Sequence, residues 1–168
     1  NSDDSIARVL VVCPASLKAN WRRELHRWLT LPRSIGIVEP GRPVPPAEIL
    51  IANYEMVVKH LDWLKSVPWD VLIVDECHYI KTPTATRSKA VYSLKAKRRL
   101  FLTGTPIVNR PLEIYPLLRQ LDRERWHNYP HFKNRYTVPW AKNQGKNLEE
   151  LQDLLRSTIM VRRLKTQV

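Results

Sequence analysis

The adjacent carboxylates Asp75 and Glu76 are the residues of this sequence best suited to chemistry. They follow the apolar run at 71–74. A short, β-branched apolar run predicts a central strand that is buried on both faces. Because charged residues are almost never fully buried, both carboxylates are expected just past the carboxyl end of that strand. In open α/β sheets, ligands bind at that end.

Two neighbouring carboxylates at a strand end suit a metal–phosphate site. One can hold Mg²⁺, usually through water, and the other can orient or deprotonate an attacking water. An acidic cap on the turn that follows the strand explains the same pair, because an acidic pair after a strand is a weak motif. The pair alone therefore leaves a hydrolytic site and a structural turn both open.

The elements that would position this pair alternate between strands and helices. Such alternation predicts an α/β fold with a parallel sheet and right-handed crossovers. The predicted strands are at 9–13, 35–38, 49–52, 71–74 and 99–103, and the later predicted helices are at 54–65, 84–94, 111–121 and 147–157.

The helix that follows the first strand has one apolar face and one basic face. The apolar face is marked by spacings of four, four and three, at Leu17, Trp21, Leu25 and Trp28. This spacing favours core packing for Trp21 over base stacking. Lys18 lies on the basic face, which by itself is a solvated face.

Residues 122–146 are polar and basic, with five interspersed aromatic residues: Trp126, Tyr129, Phe132, Tyr136 and Trp140. Aromatic and basic residues together could stack on bases. A small satellite core is the favoured interpretation, because a small separate segment needs apolar contacts to hold it together. His127 and His131 have ligand-like spacing, but no cysteine or carboxylate pair accompanies them at zinc-site spacing, so no metal is predicted there.

The charge balance indicates a polyanionic partner. The 168 residues carry 28 Lys and Arg against 16 Asp and Glu, a formal charge of +12, and nucleic acid is the first candidate, with simple solubility as the alternative. Cys13 and Cys77 form no disulfide framework. No apolar stretch approaches membrane-spanning length and no secretory signal is visible. We therefore expect no membrane partner and an intracellular protein, cytoplasmic if bacterial or phage-related and nuclear if eukaryotic.

Five segments, in order along the chain, resemble the motifs of one family. Residues 102–109 read LTGTPIVN and resemble motif III of the Snf2 family of superfamily 2 DNA-translocating ATPases, whose pattern LTGTPxxN is specific. Residues 75–78 resemble its motif II, 11–21 its motif Ia, 51–55 its motif Ib and 160–165 its exit from the first lobe. The stretches 110–113 and 162–165 lean towards the annealing-helicase-like branch, and a bacterial or phage Snf2 protein fits equally well.

This resemblance implies a RecA-like first lobe, a P-loop NTPase-type parallel sheet flanked by helices. The lobe core with motifs Ia to III would span 1–121, a protrusion 122–146, and a closing helix and exit towards a second lobe 147–168. The family's phosphate grip is a Gly-rich loop that ends in Gly-Lys-Thr and precedes motif Ia, and none of the four glycines here belongs to such a loop. We therefore expect a fold truncated at its N-terminus, with the phosphate-loop strand missing.

The resemblance also implies roles for individual residues. Asp75 would bind Mg²⁺ through water and Glu76 would activate the attacking water of ATP hydrolysis. His78, Thr103, Gly104 and Thr105 would couple the phosphate state to DNA and to closure against the second RecA-like lobe of the same parent chain. The residues implied to lie along double-stranded DNA are Pro14, Ala15, Ser16, Lys18, Asn53, Tyr54 and Lys81.

The sequence is therefore interpreted as a piece of an ATP-dependent DNA translocase that uses ATP and Mg²⁺. The isolated chain is expected to be inactive, because the phosphate loop and the second lobe are absent from it. One alternative is a basic DNA-binding module that never hydrolyses ATP. Another is an RNA helicase lobe, although such lobes typically carry Ser-Ala-Thr at 103–105.

Overall fold

Five parallel strands form the sheet on which the candidate site is built. The structure is a computed structural model and describes residues 6–104, 110–141 and 144–161. The strand order is β2-β3-β1-β4-β5, which confirms the predicted α/β class with a parallel sheet. The strands are β1 (Val9–Cys13), β2 (Ile35–Ile37), β3 (Ile49–Asn53), β4 (Trp69–Val74) and β5 (Ala96–Phe101).

Helices connect these strands and continue beyond them. In the described residues the α-helices are α1 (Lys18–Trp28), α2 (Tyr54–Lys59), α3 (Leu61–Ser66), α4 (Thr86–Ser93), α5 (Pro111–Leu121), α6 (Tyr129–Tyr136) and α7 (Leu148–Thr158). Two 3₁₀ turns, Ala15–Leu17 and Cys77–Ile80, follow the carboxyl ends of β1 and β4. None of the helices in these ranges is both long and apolar enough to cross a membrane.

Several predicted element boundaries are wrong, and two of them alter the description of the fold. The helix expected at 54–65 is two helices, because His60 between them has φ −107° and ψ 24° and so leaves the helical region. Strand β5 begins at Ala96, which pairs with Trp69, three residues before its predicted start. Among the described residues β5 lies at the edge of the sheet, and an edge tolerates charged side chains that a central strand would not.

The central strands provide the core of the first half of the chain. Every residue of β3 is buried, as are all residues of β1 after Val9. On one side Trp21 and Leu25 of α1 pack against Val11 and Ile51, which confirms core packing for Trp21. The prediction that Trp28 lies on the packed face is wrong. The Trp28 side chain is 69% exposed, and its indole N–H donates to Glu24 Oε2 at 2.9 Å.

The chain divides into two compact units between residues 105 and 106. The second unit has its own core, which joins α5, α6 and α7 through Tyr115, Leu118, Trp126, Phe132, Tyr136, Leu151 and Leu155. The predicted satellite core is thus confirmed for Trp126, Phe132 and Tyr136, whereas Trp140 is 88% exposed and lies outside it. Helix α5 falls in this unit, because Tyr115 and Leu118 pack with the aromatic cluster.

Candidate active site and nucleic-acid interface

The carboxyl ends of four neighbouring strands place most of the predicted site residues along one edge of the sheet. Val12 pairs with Ala52 on one side and with Val74 on the other, and Val74 pairs with Phe101. The residues that follow these positions therefore leave the sheet side by side. They belong to the segments 13–16, 53–54, 75–78 and 102–104. Thr105 lies outside the described residues.

The Asp75 carboxylate is held by two hydrogen bonds. Its Oδ1 accepts from the backbone N–H of Glu76 at 2.9 Å, and its Oδ2 accepts from the indole N–H of Trp21 at 2.8 Å. The backbone N–H of Asp75 donates to the carbonyl of Val12 at 2.8 Å, which extends the β1–β4 pairing by one residue. The side chain is half-buried, so the carboxylate is fixed yet still reachable from solvent.

Glu76 has a left-handed backbone. Its φ of 48° and ψ of 51° make it one of two non-glycine residues with positive φ in the part of the chain that the structure describes. Such conformations cost about 1–3 kcal/mol and cluster at functional sites. The chain adopts it where β4 ends and the 3₁₀ turn Cys77–Ile80 begins. The Glu76 side chain is 33% exposed, which leaves its carboxylate accessible to water.

His78 stands beside the Glu76 carboxylate without a hydrogen bond to it. Its Nδ1 lies 3.1 Å from Glu76 Oε2. The alignment is poor, however, and this buried nitrogen has no hydrogen-bond partner among the described residues. Its ring contacts that of Tyr79 at a centroid distance of 4.7 Å. His78 therefore lies within reach of the Glu76 carboxylate but is not bonded to it.

Tyr54 bonds the backbone of the turn that carries Asp75 and Glu76. Its hydroxyl donates to the carbonyl of Asp75 at 2.6 Å and approaches that of Glu76 at 3.4 Å. Burial, followed by the nearby Cys77, Asp75, Cys13 and Glu76, raises the pKa of Tyr54, so the phenol stays neutral and remains a donor. Tyr54 is only 5% exposed. The sequence placed it along DNA, and the structure shows it bonded to the turn.

The other residues predicted to contact DNA differ in accessibility. Ala15, Ser16 and Lys81 are exposed, and Pro14 is half-buried. Lys18 Nζ donates to the carbonyl of Val38 at 3.1 Å, which uses one of its three donors. Asn53 is buried; its amide N–H donates to Glu55, and its Oδ1 has no partner among the described residues.

Thr103 and Gly104 follow β5 at the same edge, and both are exposed. The N–H of Leu102, just before them, donates to the carbonyl of Val74 at 2.8 Å, which continues the β4–β5 pairing past Phe101. The segment predicted to couple phosphate state to DNA therefore begins beside the carboxylate pair.

The donor set fits Mg²⁺ held by one carboxylate and not a metal enclosed by protein ligands. A carboxylate has about four acceptor positions, and hydrogen bonds from Trp21 and Glu76 occupy two of those on Asp75. Among residues 6–104, 110–141 and 144–161, no group of three or more His, Cys, Asp or Glu side chains could hold a metal. Mg²⁺ typically uses one or two carboxylates together with water and substrate phosphates.

The two cysteines near this edge are poor metal ligands. Burial, with a smaller contribution from Asp75, raises the pKa of Cys13 to about 12. Burial and then Glu76 raise the pKa of Cys77 to about 11. Both thiols are free, buried and neutral at physiological pH, and a neutral thiol coordinates metals weakly.

Sequence reasoning missed two contributors to the site. Trp21 was assigned to the core by its helical spacing, which carries no information about its indole N–H. Arg87 was not singled out, yet its guanidinium lies 5.5 Å from the centre of the Tyr79 ring, which is itself stacked on Tyr54 at 5.5 Å. Tyr79 is 40% exposed. Tyr79, which directly follows His78, and Arg87, the second residue of α4, carried no local sequence signal for this contact.

Comparison with known proteins gives consistent matches over nearly the whole chain. The profile of the SNF2-related domain matches residues 2–168. The SWI/SNF-related matrix-associated actin-dependent regulator of chromatin subfamily A-like protein 1 of Xenopus laevis is 33% identical over 95% of this chain and 18% of its own length. The human DNA annealing helicase and endonuclease ZRANB3 is 32% identical over 95% of this chain and 17% of its own length.

A solved structure agrees with these sequence matches. The Sulfolobus solfataricus SWI2/SNF2 ATPase core in complex with double-stranded DNA superposes with a TM-score of 0.79 at 27% identity. The superposition covers 95% of this chain and 34% of that one. The chain thus spans under a fifth of the length of these two curated relatives.

Proposed function

Because the chain belongs to the SNF2-related domain family, we propose that it forms the first-lobe portion of an ATP-dependent translocase that moves on double-stranded DNA. The observation that carries this proposal is the geometry at the end of β4. There, a fixed carboxylate on Asp75 precedes a left-handed Glu76 whose side chain is 33% exposed. A solved family member was captured on double-stranded DNA, and the net charge of +12 suits such a partner.

In the proposed reaction Asp75 would hold Mg²⁺, and Glu76 is the general base. Glu76 removes a proton from water as the water oxygen attacks the γ-phosphorus of ATP, and the bond from that phosphorus to the bridging oxygen breaks. Bound Mg²⁺ would neutralise charge that develops on the phosphate oxygens. His78, beside the Glu76 carboxylate, and the segment Thr103-Gly104-Thr105 would report the phosphate state to the DNA-contacting residues.

The DNA-contacting residues are proposed to follow the same edge of the sheet. Ala15, Ser16 and Lys81 are exposed there, and Lys18 begins α1. Pro14, Asn53 and Tyr54 would act by positioning backbone, since the Asn53 and Tyr54 side chains are buried. Contacts of this kind go to phosphates and carry no base code, so the proposed binding is independent of sequence.

The test is DNA-stimulated phosphate release by the full-length protein. Glu76→Gln is expected to abolish hydrolysis and retain nucleotide binding, because the amide keeps the shape but cannot accept a proton. Asp75→Asn is expected also to weaken Mg²⁺-dependent binding. Equal loss of ATP affinity in both variants would show that the two roles are misassigned.

The isolated chain provides a second test. Residues 1–168 alone are expected to release no phosphate with or without duplex DNA, because a phosphate-binding loop and a second lobe supply most of the transition-state charge stabilisation. DNA-stimulated turnover by this chain that disappears in Glu76→Gln would contradict the expectation. Binding of DNA by the full-length protein with no turnover at all would favour the alternative, a non-catalytic DNA-binding module.

A further inference from the structure

We infer that Trp21 is a positioning residue for the candidate active site: its indole N–H orients the Asp75 carboxylate towards Mg²⁺. The inference rests on the proposed function, because it concerns the carboxylate that would hold the metal. Trp21 Nε1 lies 2.8 Å from Asp75 Oδ2, and the two residues are 54 positions apart in the sequence. A hydrogen bond to an ionised group contributes more than one between neutral groups.

Trp21 is itself rigidly held. It packs, with Leu17 and Leu25 of the same helix face, against Val11 and Ile51 of the central strands. The start of α1 is anchored separately, since Lys18 Nζ donates to the carbonyl of Val38 at 3.1 Å. Packing of the ring on this side and the hydrogen bond to Asp75 together set the direction of the indole N–H. The hydrogen bond therefore transmits the position of α1 to the carboxylate.

The two hydrogen bonds to the Asp75 carboxylate come from different parts of the chain. The Glu76 N–H that bonds Oδ1 belongs to the next residue, so it moves with the turn itself. Trp21 instead belongs to α1, a different element, and its indole N–H bonds the other carboxylate oxygen, Oδ2. Together the two bonds restrict rotation of the carboxylate and leave about two of its four acceptor positions open.

Burial of Trp21 does not by itself require this bond. The side chain is half-buried, so water could satisfy its N–H. Indole is a donor only and does not titrate, which suits it to a fixed hydrogen-bond partner for a carboxylate. Residues that orient metal-binding side chains in this way typically change metal affinity or activity by 10- to 100-fold when they are replaced.

The experiment measures the Mg²⁺ dependence of nucleotide binding in the full-length protein. The probe is a fluorescent ATP analogue followed by anisotropy, with direct excitation of its fluorophore and Mg²⁺ varied at fixed nucleotide. Trp21→Phe keeps an aromatic ring and removes the N–H. It is expected to raise the half-saturating Mg²⁺ concentration about tenfold, with nucleotide affinity in the absence of Mg²⁺ unchanged.

Trp28→Phe is the matched control. Trp28 lies on the same helix, and its indole N–H also bonds a carboxylate, that of Glu24, but at an exposed position. It is expected to leave the Mg²⁺ dependence unchanged. Should Trp21→Phe fold poorly, replacement of Trp21 by benzothienylalanine, in which sulfur takes the place of the N–H, preserves the packing and tests the same bond.

Asp75→Asn separates failure of this inference from failure of the proposed function. If Asp75→Asn leaves the Mg²⁺ dependence unchanged, Asp75 is not the metal-binding carboxylate and the proposed function fails at that residue. If Asp75→Asn shifts the Mg²⁺ dependence but both Trp21 variants match the wild type, Trp21 is only a core residue and the inference is overturned. A shift in both Trp21 variants, with Trp28→Phe unaffected, supports it.

Discussion

The backbone N–H of Cys77 donates a 2.9 Å hydrogen bond to the carbonyl of Leu102. This bond joins the turn that carries Asp75 and Glu76 to the segment that leads into Thr103 and Gly104. The turn is also bonded to Tyr54 through the Asp75 carbonyl. Strained backbone persists only where its surroundings determine it, and these two bonds hold Glu76 in its left-handed conformation.

The left-handed backbone of Glu76 is expected to lower the free energy of unfolding. Glu76→Gly and Glu76→Ala both remove the carboxylate, but only glycine adopts φ of 48° without a Cβ penalty. We therefore expect Glu76→Gly to be more stable than Glu76→Ala by about 1–2 kcal/mol, and both to lack hydrolysis. Urea unfolding monitored by tryptophan fluorescence gives the comparison. Equal stabilities would mean that the turn relaxes out of the left-handed region.

Asp70, at the opposite end of β4, is expected to make stability depend on acid pH. It is buried, and it accepts from the Ala7 and Arg8 backbone N–H groups, each at 2.8 Å, and from Lys97 Nζ at 2.6 Å. The Lys97 hydrogen bond first, and then the Arg8 and Ala7 amides, lower the pKa of Asp70 to about 2.

A depressed pKa fixes the direction of that dependence. The contribution of Asp70 is complete above its unfolded pKa of about 3.9, and it is lost as the pH falls from about 4 to about 2. Asp70→Asn is expected to cost about 1–3 kcal/mol at neutral pH and to flatten the decline between pH 4 and 2. Asp62→Asn, at an exposed helical position, is the control. A parallel decline in Asp70→Asn and wild type would contradict the assignment.

The stability of the second unit is expected to depend on its aromatic core. Phe132 is 2% exposed, and its ring lies 4.8 Å from Tyr115, 5.6 Å from Trp126 and 5.0 Å from Tyr136 between centroids. Phe132→Ala is expected to cost about 3–5 kcal/mol. Trp140→Ala removes a larger ring that is 88% exposed, and it is expected to change stability by less than about 0.5 kcal/mol. Limited proteolysis at 122–146 and thermal unfolding would rank the two variants; the opposite ranking would place Trp140 in a packed interface.

A phosphate track along the sheet edge is expected to appear in the salt dependence of duplex binding. Each phosphate contact contributes about 0.9 to the slope of log affinity against log salt. Lys18→Ala and Lys81→Ala are each expected to flatten that slope by roughly one. Arg123→Ala and Lys146→Ala, in the second unit, are expected to change it less. Fluorescence anisotropy over a salt series measures all four. Equal small effects would indicate a general basic field and no track on this lobe.

Local patterns were sufficient to find the strands, although not the start of β5, and to position the carboxylate pair. The apolar run at 71–74 had to be buried, whereas Asp75 and Glu76 could not be. The strand therefore had to end between Val74 and Asp75. The same reasoning located β1 and β3 and the helix that begins at Pro111. These predictions depend on residues within a few positions of each other, where burial and backbone preference act directly.

The contacts that shape the site depend on residues far apart in the sequence, and only the tertiary structure decided them. The spacing of Trp21 predicted its buried face, but the partner of its N–H is 54 residues away. The resemblance implied a place along DNA for Tyr54, and it gave no indication that the Tyr54 hydroxyl bonds the turn 21 residues later. Periodicity specifies which face of an element is buried. The order β2-β3-β1-β4-β5 decides which elements meet at the sheet edge, and that order is set by packing of the whole domain.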